Sequence, residues 1–194
     1  MKKVILFLVL LLTFSVVLGL AGCGGSPITP PITYAIGDTG PAGGWIFYDK
    51  GSSSDGWRYL EAAPASTEWT DNQWGSYGTL IGGTGTDIGA GQSNTATIVT
   101  WLNSHSETDR AAQLCDALLY GSYYDWFLPS KDELNQMYEN LKVYGVGGFA
   151  DDAYCSSSEY DAYHAWSQWF WDGDGFQGSY AEYLPNRVRA VRAF

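Results

Sequence analysis

Polar and apolar positions divide the chain into segments of different period. After Lys2 and Lys3, apolar residues run from position 4 to 20, interrupted only by Thr13, Ser15 and Gly19. The run has no amphipathic period and reads as the apolar stretch of a secretory leader. Residues 45–48 (WIFY) and 57–61 (WRYLE) are short runs rich in aromatics, and predict two strands joined by a turn over 51–56. Residues 68–91 are rich in Trp, Gly and Thr with little periodicity, a long connection of the kind that is functional or braced. Three helical patterns follow. Ile98, Val99 and Leu102 share one face of a helix over 94–103. Ala111, Leu114, Cys115 and Leu118 do so over 108–119, with Gly121 placed to stop it. Ser130 and Glu133 form a capping box ahead of a stripe of Leu134, Met137, Tyr138 and Leu141. Residues 187–194 alternate and then slip phase at Ala190-Val191, as a strand with a bulge would. Strands at both ends with helices between predict an α+β fold.

Composition sharpens this outline. The 194 residues hold 9 Trp, 14 Tyr and 8 Phe, too many aromatics for a disordered chain, and 24 Gly with no collagen-like period. The net charge of −11 opposes a phosphate backbone, so no nucleic-acid partner is expected. Acidity concentrates late: residues 143–186 contain no Lys or Arg but seven carboxylates, Asp151, Asp152, Glu159, Asp161, Asp172, Asp174 and Glu182.

The first 23 residues set the location. Leu20-Ala21-Gly22-Cys23 resembles a bacterial lipobox, which implies cleavage after residue 22 and lipidation of Cys23. Residues 1–22 are then a lipoprotein signal peptide, and 23–33 (CGGSPITPPIT) a lipidated Cys with a flexible tether. Residues 34–194 form the folded domain. The expected location is the bacterial cell envelope, lipid-anchored at the outer membrane or cell surface. Of the remaining cysteines, Cys115 and Cys155 are free to pair in an oxidising compartment or to stay as buried thiols; both readings are open.

The segments GDTGPAGGWIFYDKG, GWRYLEAAP, GTDIGAGQSNTATIV, DWFLPSKDELNQMYENL, SSSEYDAYHAWSQWF and RVRAVRAF, in that order, resemble the Lcl C-terminal domain family, named for the Legionella collagen-like adhesin. The resemblance implies a C-type lectin-like fold of the formylglycine-generating-enzyme type: small antiparallel sheets, two or three helices, long loops, and paired N- and C-terminal strands. A nearer resemblance is to the Treponema variable protein, a lipoprotein of this fold whose C-terminal face is diversified by a retroelement. Between 172 and 186, only Gln177 and Glu182 fall outside the residue types such diversification produces. Cys155 departs from the Trp that family members carry there.

The chemistry present points to binding. His105 and His164 are the only histidines and lie in no metal-ligand spacing; no metal and no cofactor are expected. Asp151, Asp152, Asp172 and Asp174 read as a solvated acidic surface rather than a calcium cluster. There is no G-x-S-x-G nucleophile motif. Glu133 is accounted for as a cap and Glu159 as part of the SSSE motif, so the chain is read as non-enzymatic. Aromatics crowd the late segment among Ser, Gly and Asp, the composition of antibody paratopes. Trp166 and Phe170 are assigned to the core. Tyr160, Tyr163, His164, Trp171, Asp174, Phe176, Ser179, Tyr180 and Tyr183 are the candidate ligand-binding residues, for a protein or glycan ligand of neutral or basic character. A structural envelope lipoprotein without a discrete ligand is the alternative, and a carbohydrate-active enzyme a more distant one.

Overall fold

The computed structural model describes residues 32–171, 173 and 175–194. The leader, Cys23, nearly all of the tether, Asp172 and Asp174 lie outside the described residues. Strands β1 (Trp45–Ser54) and β2 (Trp57–Ala62) form an antiparallel hairpin. Its turn is tighter than the 51–56 connection read from the pattern, because Asp55 and Gly56 both adopt positive φ (53° and 86°) and reverse the chain in two residues. A short strand β3 (Trp69–Asn72) precedes helix α1 (Gly91–Ser104), whose Ile98 and Leu102 are buried as the periodicity requires.

Helix α2 (Ala111–Asp116) is half the length of its apolar pattern. Ser106 and Asp109 sit in the left-handed region (φ 60° and 59°), so helix cannot begin at residue 108. It ends well before Gly121. Helix α3 (Lys131–Asn140) starts at the expected box: Ser130 Oγ accepts from the Glu133 amide (3.2 Å), and Glu133 Oε2 accepts from the Ser130 amide (2.7 Å). The same carboxylate receives the Gly89 amide at 2.8 Å, tying the 68–91 loop to this helix. Gly91 is required there, since a Cβ would stand 2.2 Å from Glu133 Oε2.

Strands β4 (Ala153–Asp161), β5 (His164–Trp169) and β6 (Gln177–Ala181) form an antiparallel meander, followed by β7 (Asn186–Val188) and β8 (Val191–Ala193). Two sheets result, one in the order β1-β2-β8 and one in the order β3-β7-β4-β5-β6. One expectation changes here. The slip at Ala190-Val191 is no bulge within one strand; the chain leaves the larger sheet after Val188 and enters the smaller one at Val191. The C-terminal strand pairs with β2 of the N-terminal hairpin, Leu60 opposite Ala193.

The larger sheet separates two apolar clusters. Cys155, Ala165 and Val188 pack with α1, α2, Trp74 and Trp126 on one side. Tyr154 and Phe170 pack with α3, Phe47, Leu60 and Val191 on the other. Cys115 and Cys155 are both free, buried thiols of the first cluster. Burial raises the pKa of both, that of Cys155 to about 12. Among the described residues, no helix is long and apolar enough to cross a membrane.

Candidate functional site

The β4–β5–β6 meander carries the aromatic-rich segment. Its register decides what each side chain can reach: Tyr180 stands opposite Ala165, Ser179 opposite Trp166, and Gly178 opposite Ser167. Neighbouring residues on a strand project from opposite faces, so Ser179 and Tyr180 do not share one. The predicted residues accordingly fall into three groups rather than one patch.

The first group lies around the β4–β5 turn. Asp161 Oδ1 accepts the Tyr163 amide at 2.8 Å and meets His164 Nδ1 at 2.8 Å, which closes the two-residue turn. The Tyr163 amide and the imidazole hold the Asp161 carboxyl below the usual carboxylate range. Loop residue Gly78 donates to the Ala162 carbonyl at 2.7 Å and brings Tyr77 over the turn. The Tyr77 ring meets Tyr163 edge-on at 5.3 Å and Tyr183 at 4.9 Å. All three rings are about half exposed.

The second group lies at the far end of the hairpin. Trp169 packs against Trp171 (4.5 Å) and edge-on against Tyr180 (5.8 Å), whose hydroxyl accepts from the indole N–H. Phe176, 57% exposed, and Tyr180 flank Gly178; a Cβ there would stand 2.8 Å from the Phe176 ring and 3.2 Å from that of Tyr180. Trp171 also borders a cavity of about 660 Å³ with Tyr138, Lys142, Val143 and Phe149. In the third group, Tyr160 packs edge-on against Trp166 at 5.2 Å, with the Lys131 ammonium 4.3 Å from the Trp166 ring. Trp166 is therefore partly exposed, contrary to its assignment to the core, whereas Phe170 is fully buried. Asp174 and Cys23 lie outside the described residues.

Tyr77, Trp169 and Glu182 belong with these groups, although the sequence pattern does not mark them as ligand-facing. The unpatterned 68–91 loop was the signal for Tyr77, and the aromatic run WSQWFW the signal for Trp169. Nothing local marks Glu182. Its side chain is 1% exposed, and neither carboxylate oxygen has a hydrogen-bond partner. It borders a cavity of about 200 Å³ together with Gln73, Ser76, Tyr77, Glu107, Arg110 and Tyr183. Burial first, then the charges of Glu159, Asp161 and Glu107, push its pKa up to about 8.

Three further carboxylates among the described residues are engaged. Glu159 accepts the amides of Ile81 (2.8 Å) and Gly82 (2.7 Å); Asp152 pairs with Arg187 (2.9 Å), and Asp151 pairs with Lys142. Among the described residues, no group of three His, Cys, Asp or Glu side chains is placed to hold a metal ion.

The described residues define an α+β protein with two sheets and three helices. A fimbrial protein from Bacteroides ovatus, known from its crystal structure, has a similar fold, with a TM-score of 0.52 at 12% identity. The match covers 71% of this chain and 36% of that one, so the chain spans about a third of the fimbrial protein's length. No family model and no curated protein sequence matches the chain.

Proposed function

We propose that the chain is a surface-tethered lipoprotein with a C-type lectin-like domain of the Lcl C-terminal type. It is a non-enzymatic binder that recognises a protein or glycan ligand through aromatic side chains displayed along the β4–β6 meander and its turns. The carrying observation is the set of half-exposed rings, Tyr77, Tyr160, Tyr163, Trp171, Phe176 and Tyr183, borne on a hydrogen-bonded sheet and the loop laced to it. Rings held on such a scaffold lose little entropy when a ligand covers them, and their flat faces suit both protein hot spots and sugar rings. The likeness to a fimbrial protein agrees with a role at the cell surface. The lipobox supplies the anchor, and the resemblance to the Treponema variable protein accounts for a segment free to vary between family-like blocks.

The test is binding to glycan and host-surface protein arrays by the native chain and by a variant with Trp171, Phe176, Tyr180 and Tyr183 all changed to Ala. A tenfold or greater loss of affinity, with unchanged thermal unfolding, is expected. Retained binding would remove this face from the reading, and a native chain that binds nothing on either array would favour the structural envelope role. Metabolic labelling with a fatty acid, lost in Cys23→Ser, checks the anchor.

A further inference from the structure

The Glu182 cavity is built around a group that the protein leaves unpartnered. The Glu182 backbone is fixed on both sides: its amide donates to the Tyr163 carbonyl (3.0 Å), and its carbonyl accepts the Trp74 amide (3.0 Å). Gln73 Nε2 likewise pins the Tyr183 carbonyl at 3.0 Å. The Glu182 backbone is thus part of the seam between the 73–78 loop and the β4–β5 turn, and its side chain is buried there. Both of its oxygens are buried without a donor. Native proteins seldom bury a carboxyl in this way, because the lost hydration is recovered by nothing.

Once Glu182 is ionised, the neighbourhood is one positive charge short. Glu107 and Glu182 border the cavity against a single cation, Arg110. Arg110 spends Nε on Glu107 (2.8 Å) and Nη1 on Gln73. Glu159 and Asp161 add negative potential from β4. At the rim stand Tyr77 and Tyr183, with Tyr163 edge-on to Tyr77, and the faces of such rings attract cations. The rim consists of half-exposed side chains, so a ligand group enters by a ring rotation while the pinned backbone stays in place.

We propose that this cavity takes a cationic side chain, the ammonium of a lysine or the guanidinium of an arginine, from a protein ligand. The proposal rests on the reading of the surrounding face as a binding surface. It narrows the ligand to a protein that presents a basic residue between the three tyrosines. Only the ionised Glu182 carboxylate pairs with the incoming cation, so binding is coupled to release of the proton this carboxyl otherwise holds. Glu107, Glu159, Asp161, Arg110, His164 and the three tyrosines are the other titratable or charged groups around it.

The probes are Nα-acetyl-lysine methylamide and Nα-acetyl-arginine methylamide, with Nα-acetyl-norleucine methylamide as neutral isostere and glucosamine as a sugar amine. Binding to the full chain is followed by isothermal titration calorimetry, in the native chain and the variant alike. The lysine and arginine probes are expected to bind about tenfold more tightly at pH 9 than at pH 7, following ionisation of a group with a pKa of about 8. The norleucine probe shows no such gain. Glu182→Gln abolishes the pH dependence. Equal binding of the norleucine and lysine probes, pH-independent binding, or unchanged binding in Glu182→Gln would overturn the proposal. Tighter binding of glucosamine than of either amino-acid probe would overturn the protein assignment. Should Glu182→Gln not fold, the isostere and pH comparisons on the native chain decide alone. Array binding that is lost in the four-fold alanine variant, alongside absent binding of the cationic probes, would sink this proposal while leaving the aromatic face in place.

Discussion

Glu182 loses its hydration on folding and gains no donor in return, and its backbone hydrogen bonds keep it where it is. Its pKa rises from 4.5 to about 8, so the folded state holds the proton more tightly than the unfolded chain across that interval. Stability therefore falls as pH rises from about 4.5 to 8, and the loss persists above that. Glu182→Gln removes the titration while keeping the shape. The amide still lacks partners, which offsets part of the gain, so the variant is expected to be roughly 1–3 kcal/mol more stable than the native chain at pH 9. At pH 4 the two are expected to agree within about 1 kcal/mol. Urea unfolding at the two pH values checks this; parallel pH profiles for the two chains would count against the burial of an unpartnered carboxyl.

At the scale of elements, the local rules that hold are those with a short-range cause. The Ser130–Glu133 box begins α3 where the sequence places it, and the aromatic runs at 45–48 and 57–61 become β1 and β2. Ser130 Oγ also donates to the Asp87 carbonyl at 2.9 Å, so Ser130→Ala removes a cap and a brace of the 68–91 loop. A loss of about 1–2 kcal/mol is expected, read as a shift of the urea midpoint without a change in its slope. Elements that depend on distant partners are illegible in the same way. Residues 160–182 place aromatics on both faces of a meander, which blurs the alternation that marks a strand, and the change of sheet between Val188 and Val191 looks like a bulge until both sheets are seen. The site divides along the same line. Trp171, Phe176, Tyr180 and Tyr183 stand out by aromatic density alone. Tyr77 reaches Tyr163 and Tyr183 only through the Gly78–Ala162 hydrogen bond, and Glu182 gains its character from burial by the 73–78 loop.

In the molecule as a whole, the two apolar clusters lie on opposite sides of the larger sheet, and the chain passes from that sheet to the smaller one through Arg189 and Ala190. Arg189 is fully buried at this crossing. It donates to the carbonyls of Ala63 (3.0 Å) and Gly147 (2.9 Å), lies 4.4 Å from the Phe149 ring, and pairs with Glu68. Glu68 also takes Arg187 at 2.7 Å and the Tyr154 hydroxyl at 2.8 Å. One carboxylate thus joins the 65–68 turn, β4, β7 and the first residue of the sheet crossing. Attraction across a buried pair roughly repays its desolvation, so its net contribution is small, but stranding one partner is costly. Glu68→Gln leaves the Arg189 guanidinium buried without its counter-charge and is expected to cost about 3–5 kcal/mol. Arg189→Met in that background removes the stranded charge and is expected to recover a large part of the loss, which a plain sum of two separate defects would not do. A double-mutant cycle by urea unfolding measures the coupling. A Glu68→Gln loss below about 1 kcal/mol, or strict additivity of the two changes, would show that the crossing is held by packing of the clusters and not by this ion pair.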